Sequence, residues 1–203
     1  MTVLAHRLRL FLSAATDLEA EHEAIGQAVA HIPVPSLGWA IGRTPRQGEA
    51  QFVAWDDIAS ADFFVLLLGC DIRAPVGAEL WAARRAGKPV LAYRKNVRRT
   101  QAAQAFVTHA ALEWTAYDAP RQVARLVQIA LVEAILSRGP ARGLPPVERD
   151  TLRGFLEQLR HGELETPSLE GKGAGGGGVI LVPGKDLPAG GVLVGEQKEV
   201  QDE

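Results

Sequence analysis

A five-stranded, mostly parallel α/β fold is what this sequence predicts, and three features of the chain predict it. Short apolar runs alternate with amphipathic stretches of helical period. The most apolar run, Phe63-Phe64-Val65-Leu66-Leu67-Leu68, has no polar alternation, the mark of a strand buried on both faces at the centre of a parallel sheet. Glycine and proline punctuate the joints between these stretches. Strands separated by helices need right-handed crossovers that cover both faces of the sheet, and for five such units the common strand order is 2-1-3-4-5.

The elements follow in order. Residues 8–13 form a first apolar run ending in small polar residues. Thr16-Asp17-Leu18-Glu19 carries a capping-box pattern, which predicts a helix beginning at Thr16, with Leu18, Ile25, Val29 and Ile32 as its apolar stripe and Pro33 and Pro35 as its stop. Residues 36–41 give a second strand and 42–48 a loop; residues 49–60 form a helix leading into the third strand, 63–68. A turn over 69–75 precedes a helix over 76–86, closed by Gly87 at the left-handed position past the helix end. The fourth strand is 89–93, then a basic loop, a helix over 101–109, a fifth strand over 112–115 and a long helix over 118–137.

Beyond Gly139 glycine, proline and arginine dominate before one more amphipathic helix over 147–160. Residues 171–178 have the composition of a flexible linker, and two apolar runs, 179–182 and 192–194, flank a turn-rich segment as in a β-hairpin. The domain organisation is therefore 1–138 as the α/β domain, 139–170 as a helical extension, and 171–203 as a Gly-rich linker with a hairpin tail. A lone hairpin is barely stable in water, so the tail is expected to add to a sheet edge, pair with a partner chain or stay mobile.

A chain of 203 residues holds one full core and an appendage. Hydrophobic residues at 47% and charged residues at 23% are the balance of a folded globular protein. A net charge of −2 lacks the broad positive field of a nucleic-acid binder; only Arg94, Lys95, Arg98 and Arg99 are locally basic, as a solvated loop or a place to meet phosphate. One cysteine, Cys70, excludes an internal disulfide framework and suits a reducing compartment. No run approaches the ~20 apolar residues of a membrane helix, and no signal-peptide pattern opens the chain, so the expected address is the cytoplasm. The five histidines show no metal-ligand spacing. No Gly-x-Ser-x-Gly elbow or Gly-x-x-x-x-Gly-Lys-Ser/Thr loop is present, which argues against a serine hydrolase of that type and a P-loop NTPase.

In an open parallel sheet, ligands gather beyond the carboxyl ends of the strands where strand order reverses, here between the first and third strands. The first strand ends at Ser13, Ala14 and Ala15, with Asp17 close by; the third ends at Gly69, Cys70 and Asp71, and the next helix opens with Gly77-Ala78-Glu79. Small residues leave room for a ligand, and the free N–H groups of that helix favour an anion such as a nucleotide phosphate. Ser13 is placed to hold a ribose or phosphate, Arg73 to fork onto phosphate, Trp81 to stack on a base, and Cys70 to stand at the rim as either a packed or a reactive thiol. Glu79 is the candidate catalytic residue. An acid at a helix start complements the macrodipole, but a carboxylate beside a ribose also stabilises an oxocarbenium-like transition state or attacks the anomeric carbon.

Three blocks carry a resemblance. Leu10-Phe11-Leu12-Ser13-Ala14-Ala15-Thr16-Asp17-Leu18-Glu19-Ala20-Glu21 resembles the opening of a bacterial TIR-like family of unknown function, with Ala14 and His22 where that family usually has Ser and Arg. Asp62 followed by the apolar strand to Gly69 fits its second block. Gly77-Ala78-Glu79-Leu80-Trp81, continuing to Gly87-Lys88-Pro89, is similar to both TIR domains and nucleoside deoxyribosyltransferases. Asp71-Ile72-Arg73 replaces the usual Tyr-Gly after the third strand. The resemblance implies a flavodoxin-like sheet and Glu79 as the glutamate that cleaves an N-glycosidic bond. It also implies NAD or a nucleoside as substrate, no resident cofactor, and a role in antiviral defence or signalling. Inactive relatives work through domain–domain contacts, so a non-catalytic adaptor is the alternative.

Overall fold

The computed structural model describes residues 7–45, 54–138 and 144–162. Two units divide the chain, Met1–Ser168 and Leu169–Glu203. All described residues belong to the first, and the linker and hairpin expected over 171–203 lie outside them.

The strands are β1 (Leu8–Ala14), β2 (Trp39–Arg43), β3 (Phe63–Leu68), β4 (Val90–Lys95) and β5 (Trp114–Tyr117). All pair in parallel in the order β2-β1-β3-β4-β5, the flavodoxin-like arrangement. The helices are α1 (Glu19–Ala30), α2 (Trp55–Ser60), α3 (Ala74–Arg85), α4 (Gln101–His109), α5 (Pro120–Arg138) and α6 (Pro146–His161). Every residue of β3 is buried, as its unbroken apolar run requires.

The pleat of β1 sorts its side chains. Leu8, Leu10, Leu12 and Ala14 enter the larger core beneath α1 and α5, while Phe11 enters the second core beneath α2 and α3. Phe11 and Phe64 lie stacked there, ring centroids 5.8 Å apart and 3° from parallel. Between α1 and α5 the buried Gln128 donates from its amide to the Ala28 carbonyl at 2.6 Å, satisfying a polar group inside the larger core. Helix α6 packs Leu152, Leu156 and Leu159 inward, and Arg125 of α5 donates to the carbonyls of Leu159 and Arg160, capping its last turn before Gly162 at φ 74°.

Several boundaries differ from the expectation. Thr16–Leu18 forms a 3-10 turn, so α1 begins at Glu19 and no side-chain cap bond closes its start. Strand β2 begins three residues later and ends two later than expected, taking in Gly42: a Cβ there would stand 3.0 Å from the Phe11 ring, so the missing side chain is what lets the strands approach. Strand β4 continues to Lys95, drawing Arg94 and Lys95 out of the basic loop and onto the sheet. Helix α3 starts at Ala74 with Pro75 in its first turn, which places Glu79 in the second turn, beyond the macrodipole position assigned to it. Gly87 adopts φ 64°, the left-handed conformation expected past the end of α3. Of the helix expected over 49–60, residues 49–53 lie outside the described ones.

Among the described residues no helix is long and apolar enough to cross a membrane, and no group of three or more His, Cys, Asp or Glu side chains is arranged to hold a metal ion.

Candidate functional site

Helical periodicity buries Glu79. The inward face of α3 is Val76, Glu79, Leu80, Ala82 and Ala83, an i, i+3, i+4, i+7 stripe in which Glu79 is the one charged member. Ser13 alternates with Leu12 and Ala14 along β1 and so shares the α3 face of the sheet with Phe11. Thr44 follows β2, its N–H donating to the Leu12 carbonyl at 3.2 Å, one step beyond the last ladder pair.

These three side chains meet. The Ser13 hydroxyl donates to Glu79 Oε2 at 2.6 Å, and the Thr44 hydroxyl donates to the same oxygen at 2.7 Å. Thr44 Oγ1 in turn accepts from the Ala14 N–H at 3.1 Å, which orients its proton toward the carboxylate. All three residues are buried, Glu79 and Ser13 at 0% exposure. Among the described residues Glu79 Oε1 is buried with no hydrogen-bond partner. Burial pushes the carboxyl above its ordinary range, and the two hydroxyl bonds oppose that rise without cancelling it. The outcome is a desolvated carboxylate with one oxygen clamped and the other unsatisfied, held by β1, β2 and α3 at the carboxyl edge of the sheet.

A second contact ties the turn after β1 to the turn after β3. Asp17 Oδ2 accepts from the Cys70 N–H at 3.2 Å and from its thiol at 3.1 Å. That thiol bond, together with burial and the Asp17 charge, pushes the Cys70 pKa up, so this exposed cysteine is held as the thiol and not as a nucleophilic thiolate. Gly69 makes the contact sterically feasible, since a Cβ there would fall 2.4 Å from Asp17 Oδ2 and 3.1 Å from Leu18. Gly69→Ala is therefore expected to cost about 1–3 kcal/mol and to speed alkylation of Cys70 by iodoacetamide as the Asp17 bond is lost. Unchanged alkylation would show that Asp17 does not hold the thiol.

The rim continues toward β4. Asp71 Oδ1 accepts from the Thr100 hydroxyl at 2.6 Å and the Ile72 N–H at 2.9 Å, which hold its carboxyl below the usual range. Thr100 also donates its N–H to the Cys70 carbonyl at 2.9 Å and caps α4 by accepting from Ala103.

Ser13, Ala14, Thr44 and Glu79 thus form one group, and Asp17, Gly69, Cys70 and Asp71 a neighbouring one. Gly77 stands two residues before Glu79 with open space where a Cβ would be. Arg73 is exposed at the start of α3. Trp81 stands about 200° around the helix from Glu79 and is 54% exposed, so the structure does not bring it to the carboxylate. Asp62 accepts from the Arg9 N–H at 2.9 Å at the start of β1, on the opposite edge of the sheet from Glu79. A groove of about 310 Å³ between β1, β2 and α2, lined by residues such as Arg9, Phe11, Gly42 and Asp57, does not include the Glu79 group.

Sequence reasoning missed Thr44, which the expected loop over 42–48 concealed. Its signal was the register of β2: a strand reaching Arg43 places Thr44 beside the end of β1.

Fold and site together define a flavodoxin-like α/β domain with a buried, hydroxyl-clamped carboxylate where its strand order reverses. Comparison with protein-family models, with curated proteins and with solved structures finds no match for the chain.

Proposed function

We propose that this chain is a TIR-like nucleotide-binding domain in which Glu79 cleaves the N-glycosidic bond of NAD or a related nucleotide or nucleoside, in bacterial signalling or defence. The observation that carries the reading is the Glu79 carboxylate itself: Oε2 fixed by Ser13 and Thr44, Oε1 buried without a partner among the described residues. In this reading the bond between C1′ and the base nitrogen breaks with its electron pair leaving on the base. Glu79 has no exposed surface in this structure, so the rim around it must open before Oε1 faces the positive charge that develops on the sugar and either stabilises it or bonds to C1′. Water or another hydroxyl then forms the new bond to C1′, displacing the Glu79 carboxylate where it has bonded there, and its proton passes to the departed base or to solvent. Ser13 is spent on orienting the carboxylate, which makes it a positioning residue and not a direct ribose ligand. The test incubates the purified protein with NAD, NADP and nucleosides and measures free base by chromatography, beside Glu79→Ala. Release by the wild type that the variant lacks supports the reading; no release at any protein concentration, including under enforced oligomerisation, overturns it.

Two observations favour a second reading, a non-catalytic interaction module. Glu79 has no exposed surface. On the outer face of α2 and α3, Trp55 and Trp81 are 48% and 54% exposed and meet edge to face with centroids 5.8 Å apart, with the Arg85 guanidinium 5.2 Å over the Trp81 ring. Exposed Trp and Arg side chains in contact have the composition of an interface hot spot. On this reading the domain associates with itself, and Trp81→Ala raises the dissociation constant measured by sedimentation at least about tenfold while leaving the melting temperature unchanged. A wild-type protein that is monomeric throughout, or association indifferent to the substitution, counts against it.

A further inference from the structure

We infer that the open groove between β1, β2 and α2 binds a small zwitterion with an apolar body, of the amino-acid class, its carboxylate on Arg9 and its ammonium on Asp57. One cavity of about 310 Å³ has both residues in its lining, together with Phe11, Ala40, Gly42 and Ser60. Ligand pockets run from about 300 to 1,000 Å³, so a groove of this size fits a small metabolite. Its space comes from β2, whose residues opposite Arg9 and Phe11 are Ala40 and Gly42, with almost no side chain to fill it. Phe11 and Ala61 of the second core make its floor apolar. Leu10 turns its side chain to the larger core and gives the groove only backbone.

The end of α2 holds the Arg9 guanidinium against the groove. Its Nη1 donates to the Ser60 hydroxyl at 2.8 Å, and that hydroxyl donates to the Asp57 carbonyl at 3.1 Å. This contact leaves Nε and Nη2 of Arg9 unused, and these two nitrogens form the planar fork that grips a carboxylate side-on. Asp57 stands three residues before Ser60 and four before Ala61, and so on the same side of α2 as both. Among the described residues neither the Arg9 guanidinium nor the Asp57 carboxylate has an ion-pair partner, although the two line one cavity. Opposite charges that share a groove without meeting favour a guest that carries both. A bare anion meets the Asp57 charge, and a bare cation meets that of Arg9.

The groove is distinct from the Glu79 group. Arg9, Phe11 and Ser13 form one row on this face of β1, and Ala40, Gly42 and Thr44 form the row beside it. Ser13 and Thr44 stand two residues beyond Phe11 and Gly42, about 7 Å farther along the sheet, where both are bonded to Glu79. The zwitterion site therefore stands whether or not Glu79 cleaves a glycosidic bond.

L-Leucine, titrated calorimetrically into the full chain at neutral pH and constant ionic strength, tests the site. Isocaproate and isoamylamine, which each keep one of leucine's two charges, and glycine, which keeps both without the apolar body, form the comparison arms. Leucine is expected to bind with a dissociation constant below about 10 mM, and each comparison compound at least about tenfold more weakly. Arg9→Gln and Asp57→Asn are each expected to weaken leucine at least about tenfold. Arg9→Gln should leave the amine bound no more weakly than before, since the amine has no carboxylate to lose. Ala40→Leu, whose added side chain fills the groove, is expected to abolish binding. Should Arg9→Gln fail to fold, Asp57→Asn decides, because the Asp57 carboxylate makes no bond among the described residues. Glu79→Gln is expected to bind leucine like the wild type, so a failure of the glycosidase reading leaves this result standing. No leucine binding up to about 10 mM, leucine binding that either charge variant leaves unchanged, or a comparison compound that binds as tightly as leucine overturns the site.

Discussion

Glu79→Gln is expected to remove base release altogether, a loss of about a thousandfold, while leaving the domain folded and at neutral pH no less stable than the wild type. The side chain keeps its shape and its oxygen still accepts from Ser13 and Thr44, but the negative charge that would face the developing cation is gone. Stability moves the other way because burial disfavours the charged form of Glu79 in the native protein. With a native pKa above the ordinary value of 4.5, the folded state binds this proton more tightly than the unfolded chain does. The group therefore contributes fully below the unfolded pKa, and its contribution is lost as pH rises through the native value. Urea melts of wild type and Glu79→Gln between about pH 4 and pH 8 should show the variant gaining on the wild type as pH rises. A variant that loses ground instead would mean that the two hydroxyl bonds outweigh burial and that Glu79 is an ordinary ionised carboxylate.

Phe64→Ala is expected to cost about 3–5 kcal/mol, a large part of the about 5–15 kcal/mol that holds a domain of this kind together. Phe64 is fully buried in the central strand and stacks on Phe11 across the β1–β3 pair. The cavity would open beneath α2 and α3, between the aromatic pair and the strand that carries Ser13. A rigid close-packed interior collapses only partly around such a void. The midpoint in urea should fall accordingly, while Phe64→Leu, which fills most of the space, costs less than about 1.5 kcal/mol. A loss under about 1 kcal/mol for the alanine would show this second core to be loosely packed.

Elements that declare themselves by local physics were legible in the chain. The unbroken apolar run of β3 located the sheet centre, Gly87 closed α3, and the alternation of strands and helices led to the observed strand order. Ser13 and Glu79, distant in sequence, were assigned to one rim from that order, and the structure brings them within 2.6 Å. What escaped was set by tertiary contacts. Thr44 belongs to the site because Gly42 packs on Phe11 and carries β2 farther than its own residues suggest. The capping-box pattern at Thr16 did not start α1 there, because the chain turns through a 3-10 segment first. Arg94 and Lys95 read as loop because charge usually means solvent, yet β5 pairs with them as strand. Trp81 is a natural candidate to stack on a base, but helical geometry carries it about 200° around α3 from Glu79 to an exposed position.

The two outermost strands of the sheet bear on how it meets other strands. Strand β2 has five residues and β5 only four, and these flank three longer strands. Unpaired backbone groups along a long flat border are what allow foreign chains to zip on and polymerise. Borders this brief give a strand arriving at either edge of the sheet few amides to grip.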